Sequence, residues 1–304
     1  MSESPAQLAR RMWTLFEPVH EITYFSPEAR AAYEAAGLRG GWRSYFAGRS
    51  APLGPVPAAP VVAAFYGFAP GLVAKAIPSA WQQLPPEQVL QARLAGVVAA
   101  LSRLLNGAGP EVDGAADQAP VTQDQVAEAA ELLEAAVDRL DLAGRVLGAA
   151  NAALPRPSEP LARLWHATTV LREHRGDGHN AALVAAQVGG CESLAWRAAF
   201  DMPREALQPY RGWSDEEWHA AEQRLVERGW LDRDRRPTPA GVQEYGEIEL
   251  STDRSAAQPW QALDPAAVGR LQELLAPIAT ACYGALPPAV PTGLPDPGTV
   301  SATA

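Results

Sequence analysis

Cysteine and lysine are scarce in this chain of 304 residues. The two cysteines, Cys191 and Cys282, lie far apart and in no spacing typical of metal ligands. This pattern predicts two buried thiols in a reducing compartment and no disulfide. Lysine occurs once, at Lys75, among 25 basic residues. We interpret that scarcity as a compositional bias and not as a functional signal.

Long apolar segments are also missing. No stretch approaches the roughly 18 apolar residues that cross a bilayer, and the first residues, MSESPAQLARRMW, contain no apolar signal core. We therefore expect a cytoplasmic protein with no membrane partner. The formal net charge of −10 disfavours binding to nucleic acids unless a basic patch is present.

The glycine motifs of common cofactor sites are absent too. The pairs Gly40-Gly41 and Gly189-Gly190 match neither a Rossmann fingerprint nor a P-loop. No Gly-x-Ser-x-Gly elbow is present, and neither cysteine has an obvious histidine partner. These absences favour chemistry without a cofactor.

What the chain does contain is a helical pattern. Apolar residues make up 47% of it and recur at spacings of three and four, the period of an α-helix. We predict a mainly all-α fold with a Gly- and Asp-rich loop at 107–121. Residues 1–155 would form a helical domain with an aromatic-rich pocket, residues 156–286 a winged-helix-like domain with flanking helices, and residues 287–304 a flexible Pro-rich tail.

The second predicted domain contains a helix, a charged turn and a second helix in close succession. A helix at 214–229 begins at Ser214 with three acidic residues, a charged turn follows at 232–236, and Thr238-Pro239 begins the next helix. This order resembles the winged-helix modules of MarR-type regulators, with a very short β-wing. Residues 192–254 contain 9 arginines and 14 acidic residues. That charge disfavours DNA binding and favours a structural or dimerising role.

The densest group of polar side chains is the heptapeptide 173–179, EHRGDGH. Because two glycines flank Asp177, we expect a helix to stop at Gly176 or Gly178 and Asp177 to cap a second helix. This corner would gather the catalytic candidates Glu173, His174, Asp177 and His179.

Three interpretations of this corner are open. The imidazoles and carboxylates suit general acid/base catalysis, with Arg175 binding an anionic group of a ligand. His174, Asp177 and His179 could instead bind a metal ion, although their spacing is unusual for one. The third interpretation is a structural hinge in which these side chains pair with each other and with the backbone.

A second group lies near the N-terminus. Glu17, His20 and Tyr24 have helical spacing and can share one face, and both Glu17 and His20 are further catalytic candidates. Aromatic residues are concentrated nearby, which is typical of a small-molecule pocket but also of an aromatic core. The ligand-binding candidates are Arg175, Arg49, Tyr24, Trp42, Tyr45 and Tyr66.

Several segments together resemble a known group. WTLFEPVHEITYFSPEAR, WRSYFAGRSAPLG, REHRGDGHNAAL and TPAG are similar to segments of actinobacterial proteins labelled as helix-turn-helix proteins of unassigned function. The resemblance covers about residues 8–285, and REHRGDGH is its most specific part. It implies a helical N-terminal domain and a winged-helix-like part, and it implies no known reaction.

These observations favour a small-molecule-acting protein whose pocket lies between the two domains. The first hypothesis is a cofactor-free acid/base enzyme that isomerises, cyclises or eliminates from a secondary metabolite. A ligand-responsive winged-helix regulator is the alternative, and a non-catalytic dimerisation scaffold is the third, with a second copy of the chain, in a homodimer, as its expected partner.

Overall fold

Helices form nearly all of the regular structure. A computed structural model describes residues 3–106, 121–287 and 293–299. Sixteen α-helices and two short 3-10 helices lie within these ranges, together with no β-strand. The first eight α-helices are α1 (Pro5–Phe25), α2 (Pro27–Ala35), α3 (Gly41–Ser50), α4 (Ala58–Phe65), α5 (Pro70–Ala76), α6 (Ser79–Gln83), α7 (Pro86–Leu105) and α8 (Gln123–Val137). The others are α9 (Val146–Ala152), α10 (Pro160–Ala185), α11 (Gly190–Arg197), α12 (Arg204–Arg211), α13 (Asp215–Glu227), α14 (Pro239–Ser255), α15 (Gln258–Gln261) and α16 (Pro265–Tyr283).

The predicted all-α class is confirmed for the described part of the chain, and several helix starts follow from local sequence. Ser214 caps α13 through a hydrogen bond from the Glu217 amide, while the Glu217 side chain accepts one from the Ser214 amide. The same reciprocal capping box begins α1 at Ser4 and α8 at Thr122. The only β-type pairing in these ranges is an isolated antiparallel bridge between Leu231 and Pro237.

The corner predicted at residues 173–179 is wrong. Helix α10 runs without interruption from Pro160 to Ala185 through both glycines. Glycine costs a helix interior roughly 1 kcal/mol relative to alanine, so packing must offset that cost. It does so at Gly178, where a Cβ atom would collide with Arg145 and lie 2.6 Å from Ser255 Oγ. This glycine permits close packing and does not end the helix.

The largest apolar core is shared by the two halves of the chain. It combines buried side chains of α1, α7, α8, α10 and α16. Trp165 of α10 lies at its centre and is 1% exposed. The predicted ranges 1–155 and 156–286 therefore contribute to one common core, while their division into two domains stays a prediction.

Two smaller cores lie beside this one. The second, formed mainly by residues between Tyr33 and Ala92, is rich in aromatic side chains such as Phe46. The third extends from Leu183 to Ile248 and surrounds the buried Trp218. The main cavity lies where these cores meet α10.

Helix α7 has the length and composition of a membrane span, with a mean hydropathy of 1.2. Half of that window is buried inside the protein. A Cβ atom on Gly96 of this helix would lie 2.7 Å from the Ala29 Cα atom of α2. Helix α7 is thus packed closely against the protein itself, as the core helices of soluble folds are.

The end of the chain is partly described. Leu294 is 5% exposed and belongs to the largest core, and the 3-10 helix Pro297–Thr299 packs against α16. This docked segment differs from the free tail expected at 287–304. Residues 288–292 and 300–304 of that tail, and residues 107–120 of the predicted loop, lie outside the described residues.

Candidate functional site

The main cavity lies between α1, α3, α10, α12 and α14 and has a volume of about 800 Å³. Ten of the twelve site residues predicted from the sequence line it: Glu17, Tyr24, Trp42, Tyr45, Arg49, Tyr66, Glu173, Arg175, Asp177 and His179. The other two, His20 and His174, lie outside its lining. Helix α10 brings Glu173, Arg175, Asp177 and His179 to the cavity without the predicted corner.

His174 points away from the cavity. Its Nε2 atom donates a hydrogen bond to the Asp141 carbonyl over 3.0 Å, and the residue is 3% exposed. Burial, aided by the nearby Arg145 cation, lowers the pKa of His174 to about 4. The catalytic role predicted for His174 does not fit this position, because its imidazole supports the connection before α9.

His20 lies deeper in the protein, at a separate cavity of about 100 Å³. Its two ring nitrogens contact Thr169 Oγ1 at 3.0 Å and the Tyr24 hydroxyl at 2.8 Å. Burial, followed by the Arg172 cation, holds the pKa of His20 well below its ordinary value. His20 therefore meets the main cavity only through Tyr24.

Asp177 caps a helix, but not the helix predicted. Its Oδ2 atom accepts hydrogen bonds from the amides of Leu147 at 2.8 Å and Gly148 at 2.9 Å, at the start of α9. Burial raises the pKa of Asp177 to about 6, although the amide of Gly148 acts in the opposite direction. This carboxyl group joins α9 to α10 and titrates close to neutral pH.

Glu173 is the centre of a buried ion-pair network. Arg49 contacts both of its oxygens, at 3.0 and 2.8 Å, and Arg172 contacts one at 3.0 Å. Arg172 also reaches Glu17 at 3.1 Å, which accepts a further hydrogen bond from Trp13. Burial alone would raise the pKa of Glu173, but Arg49 and Arg172 outweigh it and lower that pKa. Glu173 and Glu17 are thereby committed to guanidinium groups and do not suit the role of a free base.

Arg175 belongs to a second network, on the opposite side of α10 from Glu173. Its guanidinium lies 2.7 Å from Asp253 and stacks over the Trp13 ring, 4.6 Å from the centroid. Arg10 pairs with Asp253 at 2.8 Å and with Glu249 at 2.5 Å. This network ties α1 and α14 to α10 beside the cavity.

His179 is the one histidine of the cavity lining. Its Nδ1 atom lies 3.0 Å from Thr252 Oγ1, and the Thr252 hydroxyl donates its hydrogen to the Ile248 carbonyl at 2.8 Å. Thr252 must therefore accept from His179, so Nδ1 carries the proton and Nε2 has a free lone pair. Within the described residues, Nε2 has no hydrogen-bond partner.

The charge state of His179 follows from its surroundings. Its side chain is 34% exposed, and Glu249 Oε1 lies 3.8 Å from Nδ1. Burial lowers the pKa of His179, with the Glu249 carboxylate opposing that effect and Arg175 adding to it. The imidazole is therefore neutral at pH 7 and available as a base.

Aromatic side chains form the opposite wall. Trp42 is 37% exposed, and Tyr45 accepts a hydrogen bond from Arg49 at 3.0 Å. The Tyr66 hydroxyl donates to the Val188 carbonyl at 2.5 Å, which fixes the connection between α4 and α5 against α11. Tyr66 has a φ angle of +40°, a strained backbone conformation for a non-glycine residue.

The metal site considered from the sequence is not assembled. His174, Asp177 and His179 each contact a different partner, as described above. Within residues 3–106, 121–287 and 293–299, no three histidine, cysteine or acidic side chains are grouped as metal ligands.

Sequence reasoning missed several residues of the cavity. Arg10, Glu249 and Arg211 come from α1, α14 and α12, and no local motif links them to α10. Thr252, which lies behind the lining and contacts His179, was missed as well. Arg172 was missed too, although it directly precedes the candidate Glu173 and also lines the cavity.

The charged turn after α13 is held by ion pairs. Arg235 lies 3.5 Å from Glu222, and Arg236 lies 3.5 Å from Asp234. The Asp232 carboxylate accepts the amides of Asp234 and Arg236. Two of the three arginines of this turn are thus already paired with acidic side chains.

Fold and site together define an all-helical protein with a charged, aromatic-walled cavity beside one long helix. A sequence model described as "Helix-turn-helix family" matches residues 9–287, so the chain belongs to that family. Comparisons with curated proteins and with solved structures gave no match.

Proposed function

We propose that the protein binds a small organic molecule in the main cavity and acts on it by cofactor-free acid/base chemistry, with His179 as the general base. The observation that supports this proposal is the free Nε2 lone pair of a neutral imidazole whose tautomer is set by Thr252. Isomerisation, cyclisation and elimination each have a route that begins with removal of one proton by such a base.

The surroundings of His179 suit the charge that would develop. When Nε2 takes a proton, the imidazolium keeps its Nδ1–H bond to Thr252, and Glu249 at 3.8 Å stabilises the positive charge. The same imidazolium can then return the proton to another atom of the substrate. Placed acid/base groups of this kind contribute roughly 10²- to 10⁴-fold in rate.

The cavity suits a small molecule in size and in lining. Its volume of about 800 Å³ lies within the usual range for ligand sites. Aromatic and charged side chains alternate around it, and those from α10 are fixed by ion pairs on both sides of the helix. A secondary metabolite with both apolar and polar parts is the substrate class we infer.

We also infer that the region from α11 to α14 is a winged-helix-like module, with the Leu231–Pro237 bridge as its very short wing. Its Trp196 and Tyr245 side chains line the cavity. A ligand-responsive regulator is the second candidate, because α14 carries Glu249 at the cavity and begins directly after the short wing. The acidic start of α13 and the paired arginines of the turn disfavour DNA as its partner.

The test is turnover by the purified protein. A metabolite extract of the source organism is incubated with the wild type, with His179→Gln and with His219→Gln, and followed by mass spectrometry. His219 lies on α13 with 59% of its side chain exposed and serves as the matched control. We expect conversion to a product of equal mass, or of mass reduced by a leaving group, that is lost only in His179→Gln. Conversion that is equal in all three proteins, or absent from the wild type, contradicts the proposal.

A further inference from the structure

Arg211 differs from the other buried or partly buried arginines of the cavity because it has no acidic partner among the described residues. Arg211 is the last residue of α12, and its guanidinium lies over the Phe68 ring, 4.3 Å from the centroid. Its Nε atom is shielded from solvent and has no hydrogen-bond partner within the described residues. No carboxylate in these ranges lies within ion-pair distance of it.

Four other arginines that line the cavity, all buried or partly buried, have acidic partners. Arg49 and Arg172 pair with Glu173, and Arg10 and Arg175 pair with Asp253. Removing a guanidinium from water without a counter-charge lowers the stability of the folded protein. The hydrogen bond of Arg211 with Tyr45 and its contact with the Phe68 ring supply no negative charge, whereas an anion in the cavity would supply one.

The electrostatics around Arg211 add to this demand. Burial, together with the nearby Arg49 and Arg197 cations, lowers the pKa of Arg211, while Tyr45 opposes them. A bound carboxylate would relieve the repulsion among these cations. It would also meet the fork of guanidinium donors in its preferred bidentate geometry.

The surfaces next to Arg211 are aromatic. Trp42, Tyr45 and Phe68 contact one another, with ring centroids 5.5 to 5.7 Å apart. Such a wall binds flat rings through offset or edge-on contacts. A ligand that satisfies both features carries one negative charge next to an aromatic ring.

We propose that Arg211 binds the carboxylate of an aromatic acid whose ring contacts Trp42 and Tyr45, so that aromatic monocarboxylates are the substrate class. This rests on the proposed function, in which His179 acts on the same ligand. Arg211 and His179 line the same cavity. A ligand held at Arg211 therefore shares that cavity with the base.

The experiment measures the binding of 2-naphthoate by calorimetry, with neutral 2-naphthamide and dianionic 2-naphthyl phosphate as comparisons. Arg211→Met removes the charge, and Arg233→Met, in the exposed turn after α13, is the matched control. We expect the wild type to prefer naphthoate over the amide. Arg211→Met should weaken naphthoate binding by about tenfold or more, as expected for a charged hydrogen-bonded pair, while Arg233→Met binds as the wild type does.

A structural role for Arg211 makes a different prediction. Removal of an unpaired cation should leave the thermal midpoint of Arg211→Met unchanged or raised, whereas loss of a structural group would lower it. Wild type that binds no naphthoate, binds the amide equally well, prefers the phosphate, or is unaffected by Arg211→Met overturns the proposal.

The two proposals fail separately. His179→Gln should bind naphthoate with unchanged affinity, because it retains Arg211 and the aromatic wall. Naphthoate binding without turnover of any metabolite removes the proposed catalysis and keeps the carboxylate site. Turnover that depends on His179, in a protein that does not bind naphthoate, keeps the proposed catalysis and removes the carboxylate site.

Discussion

Thr252 of α14 accepts a hydrogen bond from His179 of α10 over 3.0 Å, and through this contact one helix decides which ring nitrogen of the other carries the proton. The Thr252 hydroxyl can only accept, because its own hydrogen is given to the Ile248 carbonyl. The tautomer of His179 is therefore set by Thr252, a residue 73 positions away in the sequence.

Replacement of Thr252 by valine should disturb this arrangement. Thr252→Val keeps the shape but removes the acceptor, so the proton is no longer held on Nδ1 of His179. We expect turnover of the substrate to fall roughly tenfold, which corresponds to one hydrogen bond of about 1.4 kcal/mol. Thr252→Ser should restore it.

Ring-nitrogen NMR distinguishes positioning from simple loss of fold. The His179 signals should report the Nδ1–H tautomer in the wild type and in Thr252→Ser, and a mixture in Thr252→Val. His219, exposed on α13, provides the reference signal in each spectrum. An unchanged tautomer in Thr252→Val would show that another group holds the proton.

Ionisation of Asp177 should make the free energy of unfolding depend on pH. Its pKa rises in the folded state from the ordinary 3.8 to about 6 because it is buried. A raised carboxyl pKa means that ionisation destabilises the fold, a cost that is small below pH 4 and complete above about pH 6. Asp177→Asn avoids the ionisation and still accepts an amide hydrogen bond at the start of α9. Relative to the wild type, it should gain about 2 kcal/mol between pH 4.5 and 7.5.

Urea denaturation of the two proteins at these two pH values measures the difference directly. Other titrating groups act on both proteins and cancel in the comparison. A stability difference that does not vary with pH would mean that the pKa of Asp177 is not raised.

Glu173 is expected to be a major contributor to stability. Glu173→Gln removes the acidic partner of the buried Arg49 and one of the two acidic partners of Arg172, the other being Glu17, which should cost about 3 to 5 kcal/mol. The control is Glu128→Gln, since Glu128 pairs with Arg270 on the surface, where the two side chains are 43% and 45% exposed. Exposed pairs add little. Equal shifts of the urea midpoint in both variants would contradict the assignment of Glu173 as the centre of a buried network.

The sequence predicted where several helices begin and many of the residues that line the cavity, but it did not predict which side chains pair with each other. Ser214 predicted the start of α13 because a capping box is local. Arg49 and Glu173 were both recognised as candidates, yet their pairing across 124 positions could not be foreseen. Arg211 and Thr252 carried no signal at all, because their importance depends on the packing of α12 and α14.

The error at residues 173–179 came from a physical ambiguity in glycine. Glycine marks helix ends, since it adopts positive φ angles, but it also allows two backbones to approach closely inside a helix. Only the tertiary contacts decide between these uses. Helix α10 shows the second use at Gly178, and the start of α9 shows it again where Gly148 meets α10.

Two alanine substitutions test this account of glycine. A Cβ atom on Gly148 would lie 2.9 Å from the Cα atom of His174 and 3.1 Å from its amide nitrogen, and a backbone cannot move aside as a side chain can. At Gly176, the nearest atom would be Arg172 Nη1 at 3.5 Å, an ordinary contact. Gly148→Ala should therefore destabilise the protein by about 1 to 3 kcal/mol through overpacking, whereas Gly176→Ala should stabilise it by up to about 1 kcal/mol through helix propensity. Thermal midpoints that shift in the same direction in both variants would show that Gly176 is needed for a bend in α10, and the continuous helix would then have to be abandoned.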